Sequence, residues 1–167
     1  MDFLHEFLGA FWFILPAYFA SISPVWFKLR GKTPLDFGRT FRNKPILGPS
    51  KTIRGFVGGA LCGTLLGGIQ QFVFGKPDGL LLGVLLGFGA MTGDALKSFF
   101  KRQRGIPPGK SWFPFDQLDF LIGGLVFASA VELPTLFGLI ILLTLTPPLH
   151  LLSNIADHEA GLKEVPY

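Results

Sequence analysis

Charge is what this 167-residue chain has least of: Asp, Glu, Lys and Arg make up 16% of it, where a soluble domain carries about 25%. Together with a hydrophobic content of 49%, that scarcity argues against a soluble globular fold. Disorder is excluded as well, because 19 Phe and 3 Trp supply far more apolar surface than a disordered chain carries. Cys62 is the single cysteine, so neither an intrachain disulfide nor a cysteine zinc site can form. Strand-type alternation and soluble-type repeats are absent. The basic residues form no soluble patch but fall between apolar segments, which speaks against a nucleic-acid partner. What remains is an integral membrane protein surrounded by a lipid bilayer.

A helix needs about 20 mostly apolar residues to cross about 30 Å of hydrocarbon, and five segments approach this: roughly 4 to 27, 54 to 75, 79 to 99, 116 to 132 and 134 to 153. The expected class is therefore an all-α, polytopic membrane protein with five transmembrane helices. The first segment has no basic residue before it and reads as a retained anchor, not a cleaved signal. Of the 15 Lys and Arg, eight lie from Lys28 to Arg54 and five from Lys97 to Lys110, with Lys76 and Lys163 alone. The positive-inside rule then puts loops 28–53 and 100–115 in the cytoplasm. The N-terminus, carrying Asp2 and Glu6, lies outside, and the tail 154–167 is cytoplasmic. Residues 1–167 are expected to form one membrane-embedded domain in the cell membrane. Gly55, Gly59, Gly63 and Gly67 recur every four residues, as do Gly79, Gly83 and Gly87, a small-xxx-small pattern for close helix packing.

The fourth segment is anomalous. Asp119 and Glu132 are separated by only 12 residues, about 18 Å of helix, so Asp116 and Asp119 belong to its first cytoplasmic turn, three apart on one face. Asp94 lies inside the cytoplasmic end of the third segment, where an acid costs a few kcal/mol unless it meets water or a counter-ion. The three carboxylates thus converge at one end of the bundle, as hard oxygen ligands suited to one or two Mg²⁺ ions. The competing reading is that each acid pairs with a nearby cation, for example Asp94 with Lys97 or Lys101. Glu132, Glu6 and His5 read as polar residues of the outer edge.

Loop 28–53 is longer than most structureless connections, hence functional or mobile. Its stretch Gly48 to Thr52 superficially resembles a phosphate-binding P-loop, but Ser50 stands where that motif has Gly before Lys, and no strand precedes it. Ser50 or Thr52 can nonetheless cap the second segment, leaving N–H groups flanked by Lys51 and Arg54 to hold a phosphate. Lys28, Arg30 and Lys32 read as orientation signals. Acids for metal facing bases for phosphate is the arrangement that phosphoryl-transfer sites need.

The string Gly93-Asp94-Ala-Leu-Lys97-Ser98-Phe-Phe-Lys101-Arg102-Gln-Arg-Gly105-Ile106, followed by Asp116-Gln117-Leu-Asp119, resembles the signature of the membrane CTP:phosphatidate cytidylyltransferase superfamily. Ser50-Lys51-Thr52-Ile-Arg54-Gly55-Phe56 resembles that superfamily's Ser-Pro-Lys-Lys-Thr-Trp-Glu-Gly-Phe block. Leu35-Asp36-Phe37-Gly38 and the ending Lys163-Glu-Val-Pro166-Tyr167 are more specifically similar to the CDP-archaeol synthase family. The resemblance implies a nucleotidyltransferase that moves CMP from CTP to an isoprenoid ether-lipid phosphate, an unsaturated archaeal one, and releases pyrophosphate. It implies Asp94, Asp116 and Asp119 as Mg²⁺ ligands and Ser50, Lys51, Thr52 and Arg54 as the triphosphate site. Lys97, Ser98, Lys101, Arg102 and Lys110 would take the leaving pyrophosphate or the lipid phosphate. Asn43, Lys44 and Gln117, which stands where larger relatives have Arg, are candidates for the nucleotide, with His150 and Asn154 weaker ones. The alternatives are a CDP-diacylglycerol synthase, a CTP- or ATP-dependent polyprenol or lipid kinase, and a non-enzymatic transporter or scaffold.

The topology has a direct test. Single cysteines at Thr40 and Gln103 should be labelled only from the cytoplasm and one at Asp2 only from outside. Labelling of Asp2 and Thr40 from the same side would sink the arrangement.

Overall fold

A computed structural model describes residues 3–26, 33–107 and 110–162. The chain forms α1 (Phe3–Trp26), a hairpin of β1 (Thr40–Phe41) and β2 (Lys44–Pro45), α2 (Ile53–Phe72), α3 (Gly79–Gln103), α4 (Phe115–Ala128) and α5 (Leu136–Glu159). Asp2, Lys28, Arg30, Lys32, Lys163, Pro166 and Tyr167 lie outside the described residues.

Each of the five apolar segments contains one helix. Three of them, α1, α3 and α5, are long and apolar enough to cross a membrane, at 24, 25 and 24 residues. Helix α4 is shorter than expected. Its 14 residues span about 21 Å, and it stops at Ala128, not at residue 132. There the Ser129 hydroxyl donates back to the Val126 carbonyl at 2.7 Å, and Pro134 disfavours helix in the residue before it. Helix α5 runs past the expected 153 to Glu159.

An all-helical chain without strands was expected, and the hairpin corrects this. Two-residue strands are too short to leave an alternation in the sequence. The turn is what makes them: Arg42 and Asn43 both take left-handed backbone, φ 52° and 59°, the conformation of a two-residue type I′ connection. Pairing of Phe41 with Lys44 closes it.

Helix α3 is central, packed most extensively against α2 on one side and α4 on the other. The anticipated glycines bring α2 and α3 to backbone contact: a Cβ on Gly63 would lie 2.7 Å from the Gly87 Cα, and one on Gly83 2.7 Å from the Gly67 Cα. A second glycine seam, not anticipated, joins α3 to α4, where a Cβ on Gly123 would lie 2.9 Å from the Gly93 Cα. Against this slab packs α1, through Phe13, Ile14, Ala17 and Ala20, meeting Leu86, Phe120, Leu121 and the Leu142 of α5 in one core. Two buried polar pairs cross it. The Gln70 amide donates to the Trp12 carbonyl at 2.6 Å, and the Tyr18 and Thr146 hydroxyls are 2.7 Å apart. The outward faces carry Leu61, Leu65, Phe72, Val126 and Leu136, large apolar side chains left exposed.

Successive helices alternate in direction, so segments 33–52, 104–107 and 110–114 and the end of α5 meet at one end of the bundle. There the Trp26 indole donates to Asp157 at 3.1 Å. At the opposite end Lys76 pairs with Glu132 at 3.1 Å and Thr135 with Glu6, the two acids read as edge residues.

Gly83→Ala should lower stability by about 1 to 3 kcal/mol through overpacking at a backbone contact. Gly68→Ala, whose Cβ would meet only the Leu80 Cδ1 at 3.6 Å, should be neutral or stabilising, since Ala favours helix by about 1 kcal/mol over Gly. Melting curves in detergent check the pair, and an equal loss for both would refute the seam.

Candidate active site

On α3, Lys97 and Ser98 stand three and four residues after Asp94 and four and three before Lys101, so the four share one face. On α4, Asp116 and Asp119 do the same. The Gly93/Gly123 contact brings the two stripes together, with the Cβ-less Gly93 lying against the Asp119 backbone.

The geometry that results is an ion-pair array. The Lys97 ammonium lies 3.3 Å from Asp94, 3.0 Å from Asp116 and 2.9 Å from Asp119. Lys101 holds Asp116 at 2.8 Å, and Lys51, arriving from the start of α2, holds Asp94 at 2.5 Å. Three carboxylates and three ammonium groups therefore cancel formally. The Asp119 side chain is only 6% exposed and that of Asp94 26%, so the array is closed at α4 and opens towards α2. Backbone N–H groups of Trp112 and Phe120 donate to Asp116 and Asp119.

Among the described residues no three His, Cys, Asp or Glu side chains surround a common point at metal-ligand geometry. Asp94, Asp116 and Asp119 do converge, as expected for a Mg²⁺ site, but the cation at their centre is Lys97. Of the pairs the competing reading expected, Asp94 with Lys97 is present, while Lys101 pairs with Asp116 instead. The donor set still suits a hard cation, since it offers carboxylate oxygens that already enclose a positive charge.

Lys51, Ser50, Thr52, Gly55 and Asp94 line a cavity of about 70 Å³ at the start of α2, closed by Pro24, Leu35, Phe56 and Met91. Of the two possible caps, Thr52 is the one used, its hydroxyl accepting from the Gly55 N–H at 3.2 Å. Arg54 is exposed and does not line this cavity. Ser98 is buried at 4%, while Lys110 is exposed. Arg102 donates to the Ile106 carbonyl at 2.7 Å, and its buried Nε has no partner among the described residues. Gln117 is 2% exposed, and its Oε1 likewise lacks a partner among them. Asn43 sits in the hairpin turn, away from the carboxylates in a role its left-handed backbone explains, and Lys44 donates to the Gln103 carbonyl at 2.6 Å. The His150 ring stacks on Phe120 at 5.7 Å, with Asn154 3.4 Å from its Nδ1.

Asp36 organises the segment that delivers Lys51, a role no spacing in the sequence signalled. Its carboxylate accepts from the N–H groups of Gly38 at 3.0 Å, Leu47 at 2.7 Å and Gly48 at 3.3 Å. Leu35 N–H to Lys51 carbonyl, at 2.7 Å, and Ile53 N–H to Thr33 carbonyl, at 3.2 Å, tie the segment's ends together. Gly48 takes left-handed backbone, φ 94°, and a Cβ placed there would lie 3.7 Å from the Arg102 Cδ. Burial alone would raise the Asp36 pKa, but donation from Leu47, Gly38 and Gly48 outweighs it and holds the carboxyl below the ordinary carboxylate value.

A family model described as CarS-like: CDP-archaeol synthase matches residues 3–167. The CDP-archaeol synthases of Pyrococcus furiosus and Thermococcus kodakarensis are 44% and 42% identical to the chain, over 98% and 100% of it and 100% of their own lengths. That of Methanopyrus kandleri is 42% identical over 93% of the chain and 91% of its own. A solved structure of an intramembrane enzyme for archaeal membrane lipids biosynthesis superposes with a TM-score of 0.80 at 30% identity, covering 89% of this chain and 94% of that one.

Asp36→Asn should open segment 33–52 to protease at pH 7 while the helices stay resistant, at a cost of about 1 to 3 kcal/mol. Because the folded-state carboxyl titrates below the unfolded value of about 3.9, its contribution is complete above that value and is lost as pH falls through the folded-state pKa. Melting temperatures of wild type and variant should therefore differ at pH 7 and pH 5 and converge in strong acid. Coincident melting at pH 7 would refute the anchor.

Proposed function

The chain belongs to the CDP-archaeol synthase family, and from that premise we propose that the array of Asp94, Asp116, Asp119, Lys51, Lys97 and Lys101 is where it works. The protein is a membrane enzyme, a cytidylyltransferase of archaeal lipid biosynthesis. Its substrates are CTP and an unsaturated isoprenoid ether-lipid phosphate. The observation that carries the assignment is the juxtaposition of three carboxylates and three ammonium groups beside a cavity at the start of α2.

In the reaction, an oxygen of the lipid phosphate forms a bond to the α-phosphorus of CTP while the bond from that phosphorus to the bridging oxygen of the β-phosphate breaks. Pyrophosphate leaves and CDP-lipid remains. A phosphomonoester with a second pKa near 6 is already largely ionised at pH 7, so no general base is required. What the protein must supply is alignment and charge neutralisation. Lys51, between the cavity and Asp94, meets the triphosphate, with the Ser50 hydroxyl at the cavity wall. Lys97 and Lys101 meet the lipid phosphate or the departing pyrophosphate. Asp94, Asp116 and Asp119 would hold Mg²⁺, which when bound neutralises phosphate charge. Ser98, Arg102 and Gln117 supply further polar groups on α3 and α4, and Arg54, Lys110, Asn43 and Lys44 remain candidates for the nucleotide and the phosphates.

We further propose that all five helices cross the bilayer as one domain, N-terminus outside, with the array at the cytoplasmic face. The alternating helix directions and the gathering of basic residues at the array end support this. Asp116 and Asp119, in the first turns of α4, would then lie at the cytoplasmic edge, with the bilayer thinned locally to match a helix of about 21 Å.

Purified protein in detergent, given CTP labelled at the α-phosphate and an ether-lipid phosphate, should transfer label to lipid. Label transferred instead from the γ-phosphate would mean a kinase and overturn the reading. Asp→Asn at 94, 116 or 119 should abolish turnover, and each should also lower the melting temperature, since Lys97 or Lys51 loses a partner. Lys51→Ala should cost about 10²- to 10³-fold in rate and Lys28→Ala almost nothing. Equal losses for both lysines would make the basic loop a diffuse patch, not a site.

A further inference from the structure

Lys97 differs from the two other lysines of the array. Lys51 and Lys101 each serve one carboxylate, whereas Lys97 reaches Asp94, Asp116 and Asp119 at 3.3, 3.0 and 2.9 Å. An ammonium has three N–H donors, and here three carboxylates stand within ion-pair distance of one ammonium. A divalent cation bound by the same oxygens would sit about 2.1 Å from them, inside the volume the ammonium fills. Both cannot occupy the convergence point.

We infer that Lys97 is the resident counter-cation of this position, and that it yields the carboxylates to a divalent metal and turns to the substrate's phosphates when it does. The inference rests on the reading of the three carboxylates as metal ligands. Charge balance gives it a consequence. Counted formally, three acids and three lysines cancel, so a dication arriving alone would displace an ammonium and add positive charge to a partly buried site. A dication arriving with a triphosphate brings the compensating negative charge, and the released ammonium has phosphate oxygens to receive it. Lys97 is thus a positioning residue that makes metal and nucleotide binding depend on one another, and by linkage the dependence is reciprocal. The cavity lined by Lys51, Ser50 and Asp94 borders the side of the array from which both would enter.

Mn²⁺, followed by electron paramagnetic resonance without nucleotide, should bind Lys97→Ala about tenfold or more tightly than wild type, a normal size for coupling between ligands. CTP should tighten Mn²⁺ binding strongly in wild type and little in the variant. Methylammonium, refilling the vacated position, should compete with Mn²⁺ only in Lys97→Ala. Equal Mn²⁺ affinity in both proteins, or weaker binding by the variant, would overturn the competition while leaving the metal site standing. Absence of Mn²⁺ binding by either protein, with CTP present, would instead overturn the metal reading and this inference with it. Should Lys97→Ala fail to fold, wild type suffices: Mn²⁺ alone, at saturating concentration, should raise the labelling of Lys97 by an amine-reactive reagent relative to Lys76 at the opposite end. Unchanged relative labelling would refute the displacement.

Discussion

Neutralisation of six charges at one end of an otherwise apolar bundle is the constraint around which this protein is arranged. Each of Asp94, Asp116 and Asp119 lies within direct ion-pair distance of at least one of Lys51, Lys97 and Lys101, which offsets the cost of taking these charges out of water. Spread even one helical turn further apart, each would carry its own desolvation cost. The same cancellation makes the array responsive, because a neutral cluster of closely spaced opposite charges can exchange one cation for another as long as an anion accompanies the change.

That proximity depends on glycine. Two helices bearing ordinary side chains approach to 8–10 Å between axes, and the stripes of α3 and α4 would then stand apart. Gly93 and Gly123 remove the intervening side chains, so the Asp119 backbone lies against α3 and its carboxylate reaches Lys97. The α2/α3 seam does the corresponding work for Lys51, whose helix must approach Asp94 from the other side. In a membrane, where lipid tails are as apolar as leucine, such close packing also supplies the association that a hydrophobic effect would supply in water. One device therefore serves both stability and the geometry of the site.

Segment 33–52 is ordered by a carboxylate rather than by a core. Asp36 gathers three backbone N–H groups, the hairpin turns at Arg42 and Asn43, and Phe41 rests on Phe99 with ring centres 6.0 Å apart. These few contacts hold Lys51 and the Thr52 cap at the mouth of the cavity. Local hydrogen bonding suffices here because the segment is tied at both ends, to Thr33 and Leu35 on one side and to α2 on the other.

Five helices, the glycine ladder of α2 and α3, and the gathering of Asp94, Asp116 and Asp119 at one end were legible in the sequence, since each follows from a periodicity or from the length of an apolar run. Which of Ser50 and Thr52 caps α2, the hairpin at 40–45, the anchoring by Asp36 and the early stop of α4 were not, because they depend on single side chains meeting backbone groups far away in the chain. The aspartates' partner shows the division most plainly. Spacing put Lys97 one turn from Asp94 and so allowed a pair between them, but the other two acids come from α4, and only the distance between α3 and α4 decides whether one ammonium can reach all three. Sequence determined that opposite charges would share this end of the bundle; the glycine contact between the helices decided that they meet at one point.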